Sequence, residues 1–390
     1  MRMFKLSAVA ILLSVISISP AYSADVPTSF SFIGAGYGHG VGMSQIGAKA
    51  AALAGESATA ILNYYYKDVT VAPFVDTQTI RVNIGHALKA ATFTAPTDGT
   101  ITYSSGDTLS AISATVAPKK KVQLTVNGNW AQLGNIKAQK FYVSWSNTIS
   151  FTQNSGTSLY KYGTMAVKVV NGSLEITNSL SMHDEYLLGI SEVSSAWPAA
   201  ALEAQVIASR SYALSKLGSL RGSCDCNVYS HISDQNFVGY SKEIEPKIGK
   251  FWRAAVLRTD IDSSTSLVLL QSGKPIQAYY SSSTGGATQT TQDAWGSPSA
   301  YTQSVPDSAS VDMKFNPRFA SWKASSSQAL VAGAFLLQDV VSLEILSRNS
   351  AGAVTSIKGI SSQGATKILR GDTFRSRAKL PSAWFQLSAS

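Results

Sequence analysis

The sequence predicts an α+β fold, a β-rich domain that contains a central helix and many short strands. At 390 residues and 45% hydrophobic composition, the chain can bury a large core. Charged residues make up only 14%, while Gly, Ser and Thr are abundant, which favours strands and turns over long helices. Against that background, one long helical pattern stands out between Pro198 and Gly218.

The stretch from Tyr186 to Gly218 organises the rest of the chain. Its first residues, up to Ile190, are apolar and predict a buried strand in which Gly189 allows a close backbone approach. Pro198 suits the first turn of a helix, because the N–H that it lacks would be unpaired there. Gly218 suits a left-handed C-terminal cap. Between them, small and apolar residues recur along one face of an amphipathic helix: Ala199, Leu202, Val206, Ser209, Ala213 and Leu217.

Glu192 lies where the chain leaves the predicted strand and before the helix begins. The nearest basic residue downstream is Arg210, well along the helix. A carboxyl group held between two rigid elements can be desolvated, which raises its pKa toward the range of a general acid. We therefore expect Glu192 to be the catalytic residue, in a cleft between the core and a β-rich insert.

The N-terminus predicts export. Arg2 and Lys5 precede an apolar run from Leu6 to Ile18, and small residues follow Pro20, so residues 1–24 are typical of a secretory signal peptide. We expect a protein of the cell wall or the secreted fraction, with no stable membrane span after cleavage. The net charge of +9 has no basic run longer than Lys119–Lys121, which argues against a nucleic-acid partner. A diffuse positive surface suits an anionic polymer such as a cell wall, although ordinary solvated surface charge is the favoured explanation.

The two cysteines, Cys224 and Cys226, lie close together. In an oxidising compartment they could close a small disulfide ring or stay free. They could also begin a metal site, but His231 is the only further ligand nearby, and zinc takes three or four protein ligands. We predict no metal and no cofactor.

Near the mature N-terminus, a strand at Phe30–Ile33 leads into a loop with five glycines between Gly34 and Gly42. This loop can adopt positive φ and bring a ligand close to the backbone around His39. Its glycine spacing does not match a dinucleotide fingerprint. Two helices are predicted to follow, from Met43 to Leu53 and from Ser57 to Tyr66.

The region from Thr77 to Thr177 predicts strands separated by turns, including a hairpin across a type I′ turn at Asn171-Gly172. After the central helix we expect a polar loop, Asn227–Gly239, and a helix from Ile244 to Thr259. A strand pair, Leu267–Leu270 with Ile276–Tyr280, is predicted next. The small-residue loop that follows ends at Trp295, which could stack on a sugar or be a core residue.

Several segments together resemble the SpoIID/LytB family, known as stage II sporulation protein D and amidase enhancer. The Gly-His-Gly segment comes before the central helix here, as in secreted members of the family, and should fold back onto the same site. The resembling segments are GYGHGVGMSQIGA (Gly36–Ala48), ILNYYYKDV (Ile61–Val69), Glu185–Leu214, DQNFVGY (Asp234–Tyr240), Ala278–Trp295 and FRSRAKLPSAWF (Phe374–Phe385).

The resemblance implies a lytic transglycosylase that cuts peptidoglycan glycan strands with one glutamate, here Glu192, as acid and then base. Gln205 and Arg210 match polar positions of the family pattern and could orient the glutamate or the sugar. Some members hold zinc before the Gln-x-aromatic-x-Gly segment, but Tyr229 and Asp234 occupy those cysteine positions here. Other relatives enhance a cell-wall amidase, which is the alternative function. The substrate-binding residues that we expect are His39, Ser44, Gln45, Gln205, Arg210, Gln235, Tyr279, Ser282, Ser283, Gly285, Gly286 and Trp295.

The resemblance also divides the mature chain into parts of one domain. Residues 25–75 carry the Gly-His-Gly segment and helices that pack on the core, and residues 76–180 form the β-rich part. Residues 181–310 are predicted to be the catalytic core, and residues 311–390 the C-terminal part.

Overall fold

The computed structural model describes residues 25–106, 113–153 and 156–388, and the predicted signal peptide lies outside them. The α-helices are α1 (Gln45–Leu53), α2 (Ala58–Tyr65), α3 (Ala199–Ser215), α4 (Gly249–Arg258), α5 (Thr291–Trp295), α6 (Gln328–Phe335) and α7 (Gly371–Arg377). Among the described residues, no helix is long and apolar enough to cross a membrane.

Strands outnumber helices, which confirms the β-rich α+β prediction. In the first half of the chain they are β1 (Ser29–Gly34), β2 (Met43–Ser44), β3 (Thr70–Val75), β4 (Thr79–Leu88), β5 (Ala90–Thr94), β6 (Ile101–Ser105), β7 (Ser113–Val116), β8 (Lys121–Asn127), β9 (Trp130–Leu133), β10 (Ile136–Ala138), β11 (Lys140–Trp145), β12 (Ile149–Gln153), β13 (Gly156–Tyr160), β14 (Thr164–Val170) and β15 (Ser173–Ser181). In the second half they are β16 (Val228–Tyr229), β17 (Thr265–Gln271), β18 (Lys274–Pro275), β19 (Tyr280–Ser281), β20 (Trp322–Ser327), β21 (Ser342–Arg348), β22 (Val354–Ile360), β23 (Thr366–Arg370) and β24 (Phe385–Ser388).

Two large sheets form the β-rich part. One has the order β16-β4-β15-β14-β11-β6-β7, and the other has the order β10-β9-β8-β5-β12-β13. Their inner faces share one core, in which Phe93 stacks on Phe151 with ring centroids 5.2 Å apart. The predicted hairpin is confirmed, because Asn171 and Gly172 both have positive φ between β14 and β15.

The central helix α3 begins directly after Pro198, as predicted, but it is not amphipathic. It packs against α1, α2, α4 and β17, and nearly every residue from Ala201 to Leu214 is buried. The many alanines on this helix let neighbours approach from all sides, so its pattern did not mark one apolar face. The predicted left-handed cap is also wrong, since the helix ends at Lys216 in a right-handed conformation and Gly218 does not have positive φ.

The predicted strand from Tyr186 to Ile190 is wrong. Met182–Tyr186 and Leu187–Gly189 form short helical turns, and the Ser181 hydroxyl accepts a hydrogen bond from the N–H of Asp184 at their start. A short buried apolar run has the same composition in a strand and in a helical turn, so periodicity cannot separate the two. The expected close approach does occur, because a Cβ on Gly189 would clash with the ring of Phe237.

Two later elements are shorter than predicted. The helix expected from Ile244 begins only at Gly249. The strand expected over Ile276–Tyr280 is absent except at Tyr280, since β18 ends at Pro275 and β19 begins at Tyr280. Between them, the Tyr279 carbonyl accepts hydrogen bonds from the N–H of Met43 and the hydroxyl of Tyr66. The chain there pairs with the Gly-His-Gly segment, and β19 lies parallel to β2.

The two ends of the described chain meet in one sheet of order β20-β1-β24. A separate cluster of buried residues, including Phe32, Phe335 and Phe374, lies beneath this sheet and α6 and α7. The glycine loop after β1 is held by this part of the chain, since Gly40 packs against the ring of Trp384. His39 is thereby brought next to the loop that follows β19.

Candidate active site

Glu192 is partly buried and is held through one of its two carboxyl oxygens. Its Oε1 accepts hydrogen bonds from the backbone N–H of Asn236 (2.7 Å) and from the hydroxyl of Tyr280 (3.1 Å). The Ser191 N–H donates to the Asn236 carbonyl (2.8 Å), which fixes the two segments beside each other. In the described part of the chain, Oε2 receives no protein donor, so it is the oxygen on which a proton can reside.

Burial raises the pKa of Glu192 above its ordinary value, although the donors from Asn236 and Tyr280 oppose this effect. Desolvation disfavours the charged carboxylate, and hydrogen bonds to the carboxylate favour it. Because burial is the larger effect, the carboxyl group keeps its proton at higher pH than an exposed glutamate does. Such a group suits a general acid.

A buried glutamine orients the tyrosine that contacts Glu192. The Nε2 of Gln235 donates to the hydroxyl of Tyr280 (2.9 Å) and to the Ser209 carbonyl (3.2 Å), while its Oε1 accepts from the hydroxyl of Tyr186 (2.8 Å). Since the Tyr280 oxygen accepts a hydrogen bond from Gln235, its own O–H is directed to Glu192. Gln235 was expected to bind substrate, but its side chain is fully buried, so the structure places it behind the site.

Three further residues that were expected to bind substrate also lie beneath the surface. Gln205 is buried, accepts from Nε2 of Gln45 (3.1 Å) and donates to the hydroxyl of Ser209 (3.0 Å). The hydroxyl of Ser44 caps α1 by accepting from the N–H of Gly47. These side chains join α1 to α3, and their burial leaves no surface for a sugar.

Arg210 does not contact Glu192. Its guanidinium is completely buried and pairs with Asp76 (3.2 Å) and Asp260 (2.8 Å), and it also donates to the hydroxyl of Thr259 (2.9 Å). Burial lowers the pKa of Arg210, and the two carboxylates oppose this effect. The expectation that Arg210 orients the glutamate or the sugar is therefore wrong. The helix α3 is covered on all sides, so the side chain of Arg210 points into the core.

The small-residue loop after β19 mainly holds the glycine segment in place. The Ser282 carbonyl accepts from the N–H of Ile46, and Ser283 is fully buried and pairs through its backbone with Tyr37. Gly285 lies against the ring of Trp384, where a side chain would clash, and Gly286 has a φ of 119°. Among the described residues, no hydrogen bond joins any of these four to the Glu192 carboxyl group.

An aromatic pocket of about 330 Å³, which we call the Trp295 pocket, lies beside Tyr280. It brings together three of the expected residues, since Trp295 is 4.8 Å from Tyr279 and 5.2 Å from His39 between ring centroids. The indole N–H of Trp295 donates to Asp372 (3.1 Å) and so fixes the ring. The lining residues are His39, Tyr212, Lys216, Arg221, Ile232, Ser233, Asp234, Gln277, Tyr279, Tyr280 and Trp295.

His39 is uncharged in this pocket. Its Nδ1 accepts from the N–H of Val41 (3.0 Å), which leaves the ring proton on Nε2. The pKa of His39 is lowered to about 4, mainly by burial; Asp372 opposes this effect, and Arg375 adds to it. The histidine therefore presents a neutral ring over the physiological pH range.

A second pocket, of about 470 Å³, lies on the Asn236 side of Glu192, and we call it the His231 pocket. It lies between the β-rich part and the loop after β16, where the sequence predicts the cleft. Sequence reasoning did not identify it, because its residues come from β4, β12, β13 and that loop. The lining residues are Asn83, Ile84, His86, Leu88, Gln153, Ser158, Tyr160, Ser230, His231, Asn236, Phe237 and Val238.

Asp234, which lies just before Gln235, is fully occupied. Its two oxygens accept from both terminal nitrogens of Arg221 (2.6 and 2.7 Å), from the hydroxyl of Tyr212 (2.9 Å) and from the N–H of Tyr229 (2.9 Å). A disulfide joins Cys224 and Cys226, shortly after Arg221 in the chain. In residues 25–106, 113–153 and 156–388, no group of three or more His, Cys, Asp or Glu residues is arranged to hold a metal.

The family model for SpoIID, described as "Stage II sporulation protein", matches residues 170–264. This range contains Glu192, α3 and Asn236. The curated protein "Amidase enhancer" of Bacillus subtilis (strain 168) is 49% identical over 47 residues, which is 12% of this chain and 7% of that protein. No solved structure matches the chain. Through residues 170–264, which carry Glu192 and the central helix, the chain is similar to the SpoIID/LytB family.

Proposed function

We propose that this chain is an exported, peptidoglycan-active protein, a lytic transglycosylase that cleaves glycan strands with Glu192 as its single acid and base. The observation that carries the proposal is the state of that carboxyl group. Its pKa is raised by burial, one oxygen is held by two donors, and the other is left to carry a proton. These are the properties of a general acid that donates its proton from one defined oxygen.

The proposed reaction needs no second carboxylate. Glu192 gives its proton to the oxygen that bridges two sugars, and the bond from that oxygen to C1 breaks. The C6 hydroxyl of the same sugar then forms a bond to C1 and returns its proton to Glu192, which leaves a 1,6-anhydro sugar. Glycoside hydrolysis generally requires a second carboxylate as nucleophile or base. Asp234 is a poor candidate for that role, because all of its acceptor capacity is engaged by Arg221, Tyr212 and Tyr229.

The two pockets support an extended substrate. The Trp295 pocket includes Tyr280, and the His231 pocket includes Asn236, and these are the two residues that donate to Glu192. A polymer that occupies both pockets would therefore lie against the two residues that hold the carboxyl group of Glu192. The aromatic rings of Tyr279 and Trp295 offer faces on which sugars stack. Export follows from the signal peptide predicted at residues 1–24, since peptidoglycan lies outside the cell membrane.

A product assay tests this function. The mature protein is incubated with purified glycan strands, with and without stem peptides, and the ends are analysed by mass spectrometry. We expect 1,6-anhydro ends from the wild type and none from Glu192→Gln. Glu203→Gln is the matched control, because this glutamate pairs with Arg258 away from the two pockets. Equal cleavage by wild type and Glu192→Gln would exclude the proposed role of Glu192.

A second candidate function is a non-catalytic module that binds peptidoglycan and stimulates a cell-wall amidase. The match to a protein named "Amidase enhancer" favours it, although that match spans only 47 residues. This alternative predicts binding to sacculi and stimulation of an added amidase, both retained in Glu192→Gln, with no product from the protein alone.

A further inference from the structure

The Trp295 pocket has one positive charge that no neighbouring carboxylate balances. Arg221 and Asp234 neutralise each other through a bidentate pair, and Arg375 and Asp372 pair at 2.7 Å behind Trp295. The remaining charge is Lys216. Within the described parts of the chain, no carboxylate oxygen lies within 4.0 Å of its ammonium nitrogen.

Lys216 is held in position and is partly desolvated. It is the C-terminal cap of α3, and its ammonium lies over the ring of Tyr212 at 5.2 Å from the centroid. Burial lowers the pKa of Lys216, while the field of Asp234 opposes this effect. An anionic ligand in the pocket would therefore meet a cation that has already lost part of its water, which strengthens the attraction.

The His231 pocket has a different character. Its lining contains no lysine and no arginine, and the polar groups there are amides, hydroxyls and imidazoles, as in Asn83, Gln153, Ser158 and His231. The two pockets beside Glu192 therefore differ by a positive charge. In a peptidoglycan strand, a neutral N-acetylglucosamine alternates with an N-acetylmuramic acid, whose lactyl group carries a carboxylate or a peptide.

We propose that Lys216 binds a carboxylate of the muramyl unit in the Trp295 pocket, and that this contact fixes the direction in which a strand crosses Glu192. The proposal rests on the proposed function, since it concerns the same substrate. The carboxylate is either that of the lactyl group or that of an attached peptide. Lys216 is then a specificity-determining residue, and Glu192 acts on the bond next to the sugar that it selects.

A binding experiment without cleavage tests this inference. The mature Glu192→Gln protein is titrated with N-acetylmuramic acid, with its neutral lactyl amide and with N-acetylmuramyl-alanine, and tryptophan fluorescence is followed. We expect N-acetylmuramic acid to bind about tenfold more tightly than the amide, which corresponds to about 1.4 kcal/mol. The preference should weaken with added salt and should disappear in Lys216→Met, which keeps the aliphatic stem. Lys274→Met, at the exposed first residue of β18, is the control.

The third ligand distinguishes the two sources of the carboxylate. Binding of N-acetylmuramyl-alanine as weak as that of the amide assigns the contact to the lactyl carboxylate, and tight binding assigns it to a peptide carboxylate. Equal affinity for all three ligands, or an unchanged preference in Lys216→Met, overturns the inference. If the preference is found but the wild type releases no 1,6-anhydro ends, the proposed function fails and the carboxylate site stands.

Discussion

Removal of the Tyr280 hydroxyl should shift the pH dependence of the reaction. The hydroxyl donates to Glu192 Oε1 at 3.1 Å and stabilises the charged carboxylate. A hydrogen bond to a charged group contributes roughly 1.5–3 kcal/mol, and one pKa unit corresponds to about 1.4 kcal/mol. The Asn236 N–H remains in Tyr280→Phe and compensates in part. We therefore expect the pKa of Glu192 to rise by about one unit in this variant.

The sign of the effect is fixed by the role of the group. A general acid must be protonated in the free enzyme, so kcat/KM falls as the pH rises through the pKa of Glu192. In Tyr280→Phe this alkaline limb should move to higher pH by about one unit, as measured by the release of 1,6-anhydro ends across a pH series. Tyr279→Phe is the matched control, because that hydroxyl makes no hydrogen bond to Glu192. An alkaline limb that stays in place, or that moves to lower pH, would refute the reasoning.

Three further predictions concern stability. Burial raises the pKa of Glu192 in the folded protein. The stability that this group contributes is therefore fully present below the ordinary pKa of a glutamate and is lost as the pH rises through its pKa in the folded protein. Glu192→Gln should therefore melt at a higher temperature than the wild type at pH 7, and at the same temperature in acid. Arg210→Met should lower the free energy of unfolding by about 3–5 kcal/mol in urea, since it leaves the carboxylates of Asp76 and Asp260 unpaired; a loss of activity with unchanged stability would contradict this. Replacement of Cys224 and Cys226 by serine should lower the free energy of unfolding by only about 1–2 kcal/mol, because the closed loop is very short. A loss well above that range would show that the disulfide stabilises more than its own loop.

The sequence could predict the elements whose signals are local. Pro198 marks the start of the central helix, because its ring and missing N–H are tolerated at a helix start but not in a helix interior, and here it is the residue before Ala199. Asn171-Gly172 specifies a hairpin, because both residues tolerate positive φ. The position of Glu192 before the central helix is also evident from the chain itself, although helical turns precede it instead of the predicted strand.

The surroundings of Glu192 could not be predicted in the same way. The pattern of one helix does not show how many neighbours cover it, so the burial of Gln205 and Arg210 was not evident. Asn236 contributes a backbone N–H, a group that almost every residue has, and therefore leaves no signal in the sequence. Tyr280 differs from Tyr279 only by one position, and the pairing of β19 with β2 decides which hydroxyl reaches the carboxyl group.

The fate of water tests the central claim most directly. Glycan strands are cleaved by the mature protein in water enriched in heavy oxygen, and the new ends are weighed by mass spectrometry. A single-glutamate transglycosylase joins C6–O to C1 within the sugar, so we predict 1,6-anhydro ends without heavy oxygen, and no such ends from Glu192→Gln. Reducing ends that carry heavy oxygen would show hydrolysis and would contradict the account.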